Sequence, residues 1–172
     1  MGNTASKYTV IRVSPTLDTG AYADDDVFFN PTAIPNAVIG NGGCSKLIGI
    51  SILNEDDVAH DIDIVFMQKS TNLGTLNSAV GSGMQWNNTQ AKAAGVLGVV
   101  SIDWSTNSVD LVNNLVYHTS SGNHGAAVTS GLPMLLQAED NSTSVYMAAV
   151  SRGGTPTTAA DDYEIILHIE KK

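Results

Sequence analysis

The sequence predicts an all-β chain folded as one antiparallel β-sandwich, jelly-roll-like at this length, with one short helix. Three observations predict it. Short runs of residues alternate apolar and polar with a period of two, the pattern that buries one face of a strand and wets the other. Clusters of Gly, Pro, Asn and Asp interrupt those runs at frequent intervals and supply turns. Helix formers with a cap and a stop occur together in a single stretch.

Taken in order, Lys7 to Val13 opposes Tyr8, Val10 and Arg12 to Thr9, Ile11 and Val13, a β-branched alternation that reads as a strand. Turn chemistry follows at Asp18-Thr19-Gly20 and Asp24-Asp25-Asp26, and then Val27 to Asn30 is a short strand that Pro31 should close. Pro35 to Val38 begins another extended piece. Asn41-Gly42-Gly43 turns the chain into Cys44 to Leu53, a strand with Ile48, Ile50 and Ile52 expected on one face. After the turn Asn54 to Asp57, Asp61, Asp63 and Val65 alternate with Ile62, Ile64 and Phe66, an acidic outer face over an apolar inner one. Asn87 to Ala94 is the helix, with an Asn cap and Gly95 as its stop. Val96 to Asp103, Val109 to Tyr117, Leu132 to Ala138, Thr143 to Ser151 and Tyr163 to Glu170 complete the strands; in the last, Ile165, Leu167 and Ile169 oppose Glu164, His168 and Glu170. About nine or ten strands result, suited to a sandwich or barrel.

A chain of 172 residues fits one domain spanning 1–172, with a short N-terminal arm at 1–6, and has no heptads, internal repeat or long linker. Its one cysteine, Cys44, cannot form an internal disulfide and is expected as a small buried hydrophobe. Charged residues make up 15% of the chain against about 25% in an average protein, so much of the surface must be neutral and polar, which is cheaper to desolvate in a contact. With Lys+Arg 8, Asp+Glu 17 and a net charge of −9, phosphate backbones and anionic membranes should both be repelled. No apolar run approaches the ~18 residues of a membrane span, and no hydrophobic signal region opens the chain. Met1-Gly2-Asn3-Thr4-Ala5-Ser6 fits the N-myristoylation pattern, but the polybasic signal that usually accompanies it is missing.

Each residue that could carry chemistry has a plainer reading. His118 and His124 flank loop-like sequence at a spacing unlike that of zinc motifs, His168 should face solvent from the final strand, and His60 sits in an acidic turn where solvation is expected. Ser82, between Gly81 and Gly83, lacks the spacing of a nucleophile elbow. Asp24 to Asp26, Glu55 to Asp57, and Asp161, Asp162 and Glu164 are acidic clusters without the pattern of a calcium loop; turn formation and solubility are the favoured account, with calcium at a subunit junction as the lesser alternative. Arg152-Gly153-Gly154 opens no helix and matches no phosphate-binding loop, and the sequons at Asn87 and Asn141 have no secretory route to use them. Trp86, Trp104, Tyr117 and Tyr146 could line a sugar platform; Trp104 and Tyr146 lie in strand sequence and are expected in the core, leaving Trp86 as the exposed candidate. The expectation is therefore no catalytic residue, no cofactor and no metal. Two alternatives stay open: a carbohydrate-binding or adhesin module on Trp86 or Trp104, and a hydrolase assembling His118, His124 and acids only in the fold.

Three stretches carry a resemblance. Ser14 to Tyr22 leading through Asp25-Asp26-Val27 to Ile34-Pro35-Asn36-Ala37-Val38, then Leu97 to Ile102, and then Tyr146 to Thr157, with Ile48 to Asp57 between them, resemble small virion proteins of tailed bacteriophages that decorate or cement capsids. The resemblance is one of wording and order and includes no catalytic motif. It implies a β-sandwich that self-associates, often as a trimer, and binds the major capsid (coat) protein on the capsid exterior after assembly in the host cytoplasm. A tail-associated virion protein is the neighbouring reading. Docking would then use the loops Ser14 to Asp26 and Thr155 to Asp162 together with the arm Met1 to Ser6.

Overall fold

A computed structural model describes residues 7–56, 58–83, 86–120 and 131–171. The arm Met1 to Ser6, Asp57 and the segment holding His124 lie outside the described residues. In chain order the elements are β1 (Tyr8–Val13), β2 (Val27–Ile34), β3 (Cys44–Asn54), β4 (Ile62–Met67), α1 (Asn88–Ala94), β5 (Val96–Ile102), α2 (Trp104–Asn107), β6 (Ser108–Asp110), β7 (Leu115–Ser120), β8 (Met134–Gln137), β9 (Val145–Ser151) and β10 (Tyr163–Lys171).

The strands form an antiparallel sandwich of two sheets. One runs β1-β10-β3-β7-β6, with β8 also on β3, end to end with β7: β3 pairs its first residues with β8 and its last with β7. The other runs β2-β9-β4-β5. Period-two alternation sets the registers. Ile165, Leu167 and Ile169 of β10 face inward with Ile50 and Ile52 of β3, opposite Ile62, Ile64 and Phe66 of β4. Each such side chain contributes about 1.5–3 kcal/mol on full burial, so a one-residue slip of β10 would turn three of them to water and cost several kcal/mol. At one end of the core Phe28, Tyr22 and Tyr163 meet, with ring centres 4.8 and 5.2 Å from that of Phe28, and Trp104 packs on Tyr117 at 5.7 Å.

The two sheets differ in what lies over their outer faces. On the four-stranded sheet, Val27, Met67, Ala148 and Val150 are buried beneath Leu73, Val80 and Ala94 of α1, with Trp86 packed against them. Backbone bonds fasten this cover: Val27 N–H donates to Ser78 O at 2.9 Å, Val80 N–H to Asp25 O at 3.0 Å and Gln68 N–H to Gly95 O at 3.0 Å. Over the six-stranded sheet, none of the described residues provides such a cover.

Several expectations are corrected. β2 does not stop at Pro31 but runs on to Ile34, because it is an edge strand whose register shifts between Phe29 and Thr32, so the proline faces no ladder partner. Ile48 does not share the buried face of Ile50 and Ile52. A bulge against His168 and Ile169 inserts a residue and reverses the parity, so that Leu47 points inward instead. Val109 to Tyr117 is not one strand but the hairpin β6–β7, turned where Asp110 Oδ1 accepts Val112 N–H at 2.7 Å and Leu111 N–H donates to Asn114 O at 2.8 Å. Pro35-Asn36 forms a turn rather than an extended piece, with Asn36 at φ 53°. Besides the expected helix, capped by Asn87 and stopped at Gly95, there is a second, one-turn helix, α2, capped by Asp103. Cys44 is exposed, since its position at the outer start of β3 precedes the inward-facing Ser45.

Candidate functional site

The outer face of the six-stranded sheet is built by the half of each strand that the core rejects. Laid across it in register are Val10, His168, Gly49 and Ser120, then Arg12, Ile166, Ser51 and His118, then Glu164, Leu53, Val116 and Val109. Val10 and Val109 are 54% and 60% exposed, with Ile166, Leu53 and Val116 half-buried between the strands. The face is thus apolar at intervals across its width. Its charges nearly balance, Arg12, Lys46 and, at the edge, Lys7 against Glu164 and Glu170, although the chain carries −9. Arg12 reaches Glu164 at 2.5 Å across the β1–β10 pair. The acidic excess therefore sits elsewhere, mostly on the loops.

At the centre of the face stand two histidines and a serine. Ser51 Oγ on β3 lies 2.8 Å from His118 Nδ1 on β7 and 3.2 Å from His168 Nε2 on β10. The imidazole planes are nearly perpendicular, 88°, with centres 5.7 Å apart. Burial, together with the neighbouring His118, pushes the His168 imidazole below its ordinary value, which favours the neutral ring. His168 faces outward as its alternation requires, but His118 belongs to a strand and not to a loop. Sequence reasoning paired His118 with His124, its neighbour along the chain; what joins His118 to His168 is the β10-β3-β7 strand order, which no local spacing records.

Ser51 with His118 has the contact of a nucleophile and its base. The surroundings do not extend it: the pair lies on an open sheet face, and the strand N–H groups that might hold an oxyanion are spent on the ladders with β7 and β10.

His60 is not solvated. It is 4% exposed, its ring centre 5.4 Å from that of Phe28 at a 41° tilt, and it is bonded through Nε2 to Ser151 Oγ at 2.9 Å, because pairing of Ile62 with Ser151 draws the residues before β4 over the sheet end. Burial lowers its basicity. Beside it lies a cleft of about 340 Å³ lined by His60, Asp61, Trp104, Ser105, Arg152, Gly153 and Gly154. Two of its charged groups are engaged: Asp61 Oδ1 accepts Trp104 N–H at 2.9 Å, and Arg152 is held by Asp63 at 2.7 Å and Asp25 at 2.5 Å, while the buried Trp104 Nε1–H has no hydrogen-bond partner among the described residues.

The remaining candidates serve structure. Asp24 Oδ1 accepts Gly153 N–H at 2.9 Å, Asp26 Oδ2 accepts Ala23 N–H at 2.7 Å and Asp162 accepts Ala159 N–H, the loop-shaping use expected of the acidic clusters. Among the described residues no three His, Cys, Asp or Glu side chains gather as a metal-holding group. Ser82 Oγ accepts Thr75 N–H at 3.2 Å within its loop. Trp104 is in the core as expected, although it opens α2 and does not lie in a strand, and Tyr117 of β7 is buried beside it; Tyr146 is only half-buried and Trp86 packs against the cover of the four-stranded sheet, so the four rings make no common platform. The loops Ser14 to Asp26 and Thr155 to Asp162 meet: Leu17 N–H donates to Ala160 O and Tyr22 N–H to Pro156 O, both at 3.0 Å.

Comparison with known proteins adds no assignment: no protein-family model matches the chain, and no curated protein matches it.

Proposed function

We propose that this chain is a virion structural protein that binds the outer surface of a phage capsid and stabilises contacts between coat subunits. The observation that carries the reading is the difference between the two sheets: one outer face is roofed by the chain itself, while the other has no cover among the described residues, is nearly balanced in charge and is apolar at intervals. A surface of that kind loses little when desolvated and gains from burying Val10, Ile166, Leu53, Val116 and Val109 against a coat subunit. Strand order supports it too. Without the short β6 and β8, eight strands remain as β1-β10-β3-β7 facing β2-β9-β4-β5, which we read as a jelly roll, an architecture used by viral capsid domains. The joined loops 14–26 and 155–162 offer a second, acidic contact, and association of copies, as trimers, would multiply weak contacts into firm attachment.

Co-sedimentation of the purified protein with empty capsids tests the reading. Wild type is expected to pellet with the shell. Val10→Asp with Val109→Asp, both at exposed positions that leave the core intact, should weaken that binding at least about tenfold, since a carboxylate would have to be desolvated in the contact. Absence of wild-type co-sedimentation would overturn capsid binding, and with density on tails in cryo-EM maps of virions it would move the protein there. Unchanged binding by the double variant would overturn the choice of face.

A further inference from the structure

We propose that His118 and His168 form a half-site for a divalent transition-metal ion, Zn²⁺ in the first instance, at the centre of the open sheet face. This stands on the geometry of the two rings and does not depend on capsid binding. Imidazole nitrogens suit zinc, copper and nickel, and two of them here point at one spot, the Ser51 hydroxyl, from 2.8 and 3.2 Å. An imidazole nitrogen stands about 1.1 Å from its ring centre and a Zn–N bond is about 2.05 Å, so two rings on one tetrahedral ion have centres about 5.2 Å apart. The observed 5.7 Å, with the rings at 88°, is within a small ring rotation of that arrangement.

The surroundings favour the ion over a merely structural hydrogen bond. Gly49, in register with His168, has no side chain; a Cβ there would lie 3.5 Å from His168 Cβ and Cδ2, so the ring lies over bare backbone. The bulge next to His168 lies on β3, where Ile48 is the extra residue, so β10 keeps its alternation and His168 its outward aim beside Ser51. With an ion bound, Ser51 turns aside to another rotamer and water fills the open positions, because no carboxylate or thiolate among the described residues joins the pair. Ser51 is thus a competitor that occupies the ligand position in the metal-free protein.

Titration calorimetry of the full chain with ZnCl₂ near neutral pH is expected to give one ion per chain, bound at least about tenfold more weakly by His118→Ala and by His168→Ala. Ser51→Ala should retain binding. In long-range ¹H–¹⁵N spectra the side-chain signals of His118 and His168 should shift with zinc while that of the buried His60 stays. Absence of zinc binding by wild type, wild-type affinity in either histidine variant, or binding lost only in His124→Ala would overturn the proposal; loss in Ser51→Ala would overturn the assigned place of the ion.

Discussion

Replacing Tyr22 by phenylalanine should loosen the long loop between β1 and β2 without disturbing the core shape. Tyr22 is fully buried; its hydroxyl donates to Phe28 O at 3.1 Å and accepts Asp18 N–H at 2.6 Å, while its ring packs 4.8 Å from that of Phe28. The change keeps the ring and removes both bonds. At about 0.5–1.5 kcal/mol net for each, the loss is about 1–3 kcal/mol. Tyr22→Ala removes the ring too and should cost about 3–5 kcal/mol. For a domain of this length about 2–4 °C of Tm corresponds to each kcal/mol, so thermal melts followed by circular dichroism should show Tyr22→Phe lower by roughly 5 °C and Tyr22→Ala by roughly 10 °C or more. A Tyr22→Phe protein melting within roughly 1 °C of wild type would refute the claim that the hydroxyl pins the loop. Equal losses in the two variants would refute the division between bonding and packing.

Acidification should destabilise the fold. His60 and His168 are both held below the ordinary imidazole value by burial, so between that value, about 6.5, and their folded values the unfolded chain binds more protons. Their contribution is complete above about pH 6.5 and is lost as the pH falls through the folded values; the urea midpoint should be lower near pH 5.5 than near pH 7.5, and a constant or rising midpoint would contradict this. Gly95→Ala should cost about 1–2 kcal/mol, since Gly95 stops α1 at φ 61° and a Cβ there would come 2.5 Å from Gln68 Oε1; an unchanged urea midpoint would speak against it. Cys44, exposed at the start of β3, should react stoichiometrically with a maleimide in the native protein, whereas labelling only after denaturation would place it in the core.

How much of this was legible follows from the range over which each feature is decided. The alternations in β4 and β10 predicted their inward and outward residues, and Asn87 with Gly95 predicted both ends of α1, because caps and period-two burial are settled within a few residues. Misreadings occurred where a partner strand intervened. Ile48 looked equivalent to Ile50 and Ile52 until the bulge against β10 reversed it; Pro31 looked like a stop until β2 proved an irregular edge; and the valines of Val109 to Tyr117 hid a hairpin. His60 lay beside acidic residues in sequence and beside Phe28 and Ser151 in space.

By itself, then, the sequence determined the all-β class, most strand positions, the helix and the inward face of most strands, since these depend on local backbone preference and on sorting apolar from polar side chains. Only the tertiary structure decided that residues 51, 118 and 168 meet and that one sheet is roofed while, among the described residues, the other has no such cover. The physical reason is that strand order and cover are chosen by long-range pairing, in which residues far apart in the chain compete for the same ladder and the same apolar surface.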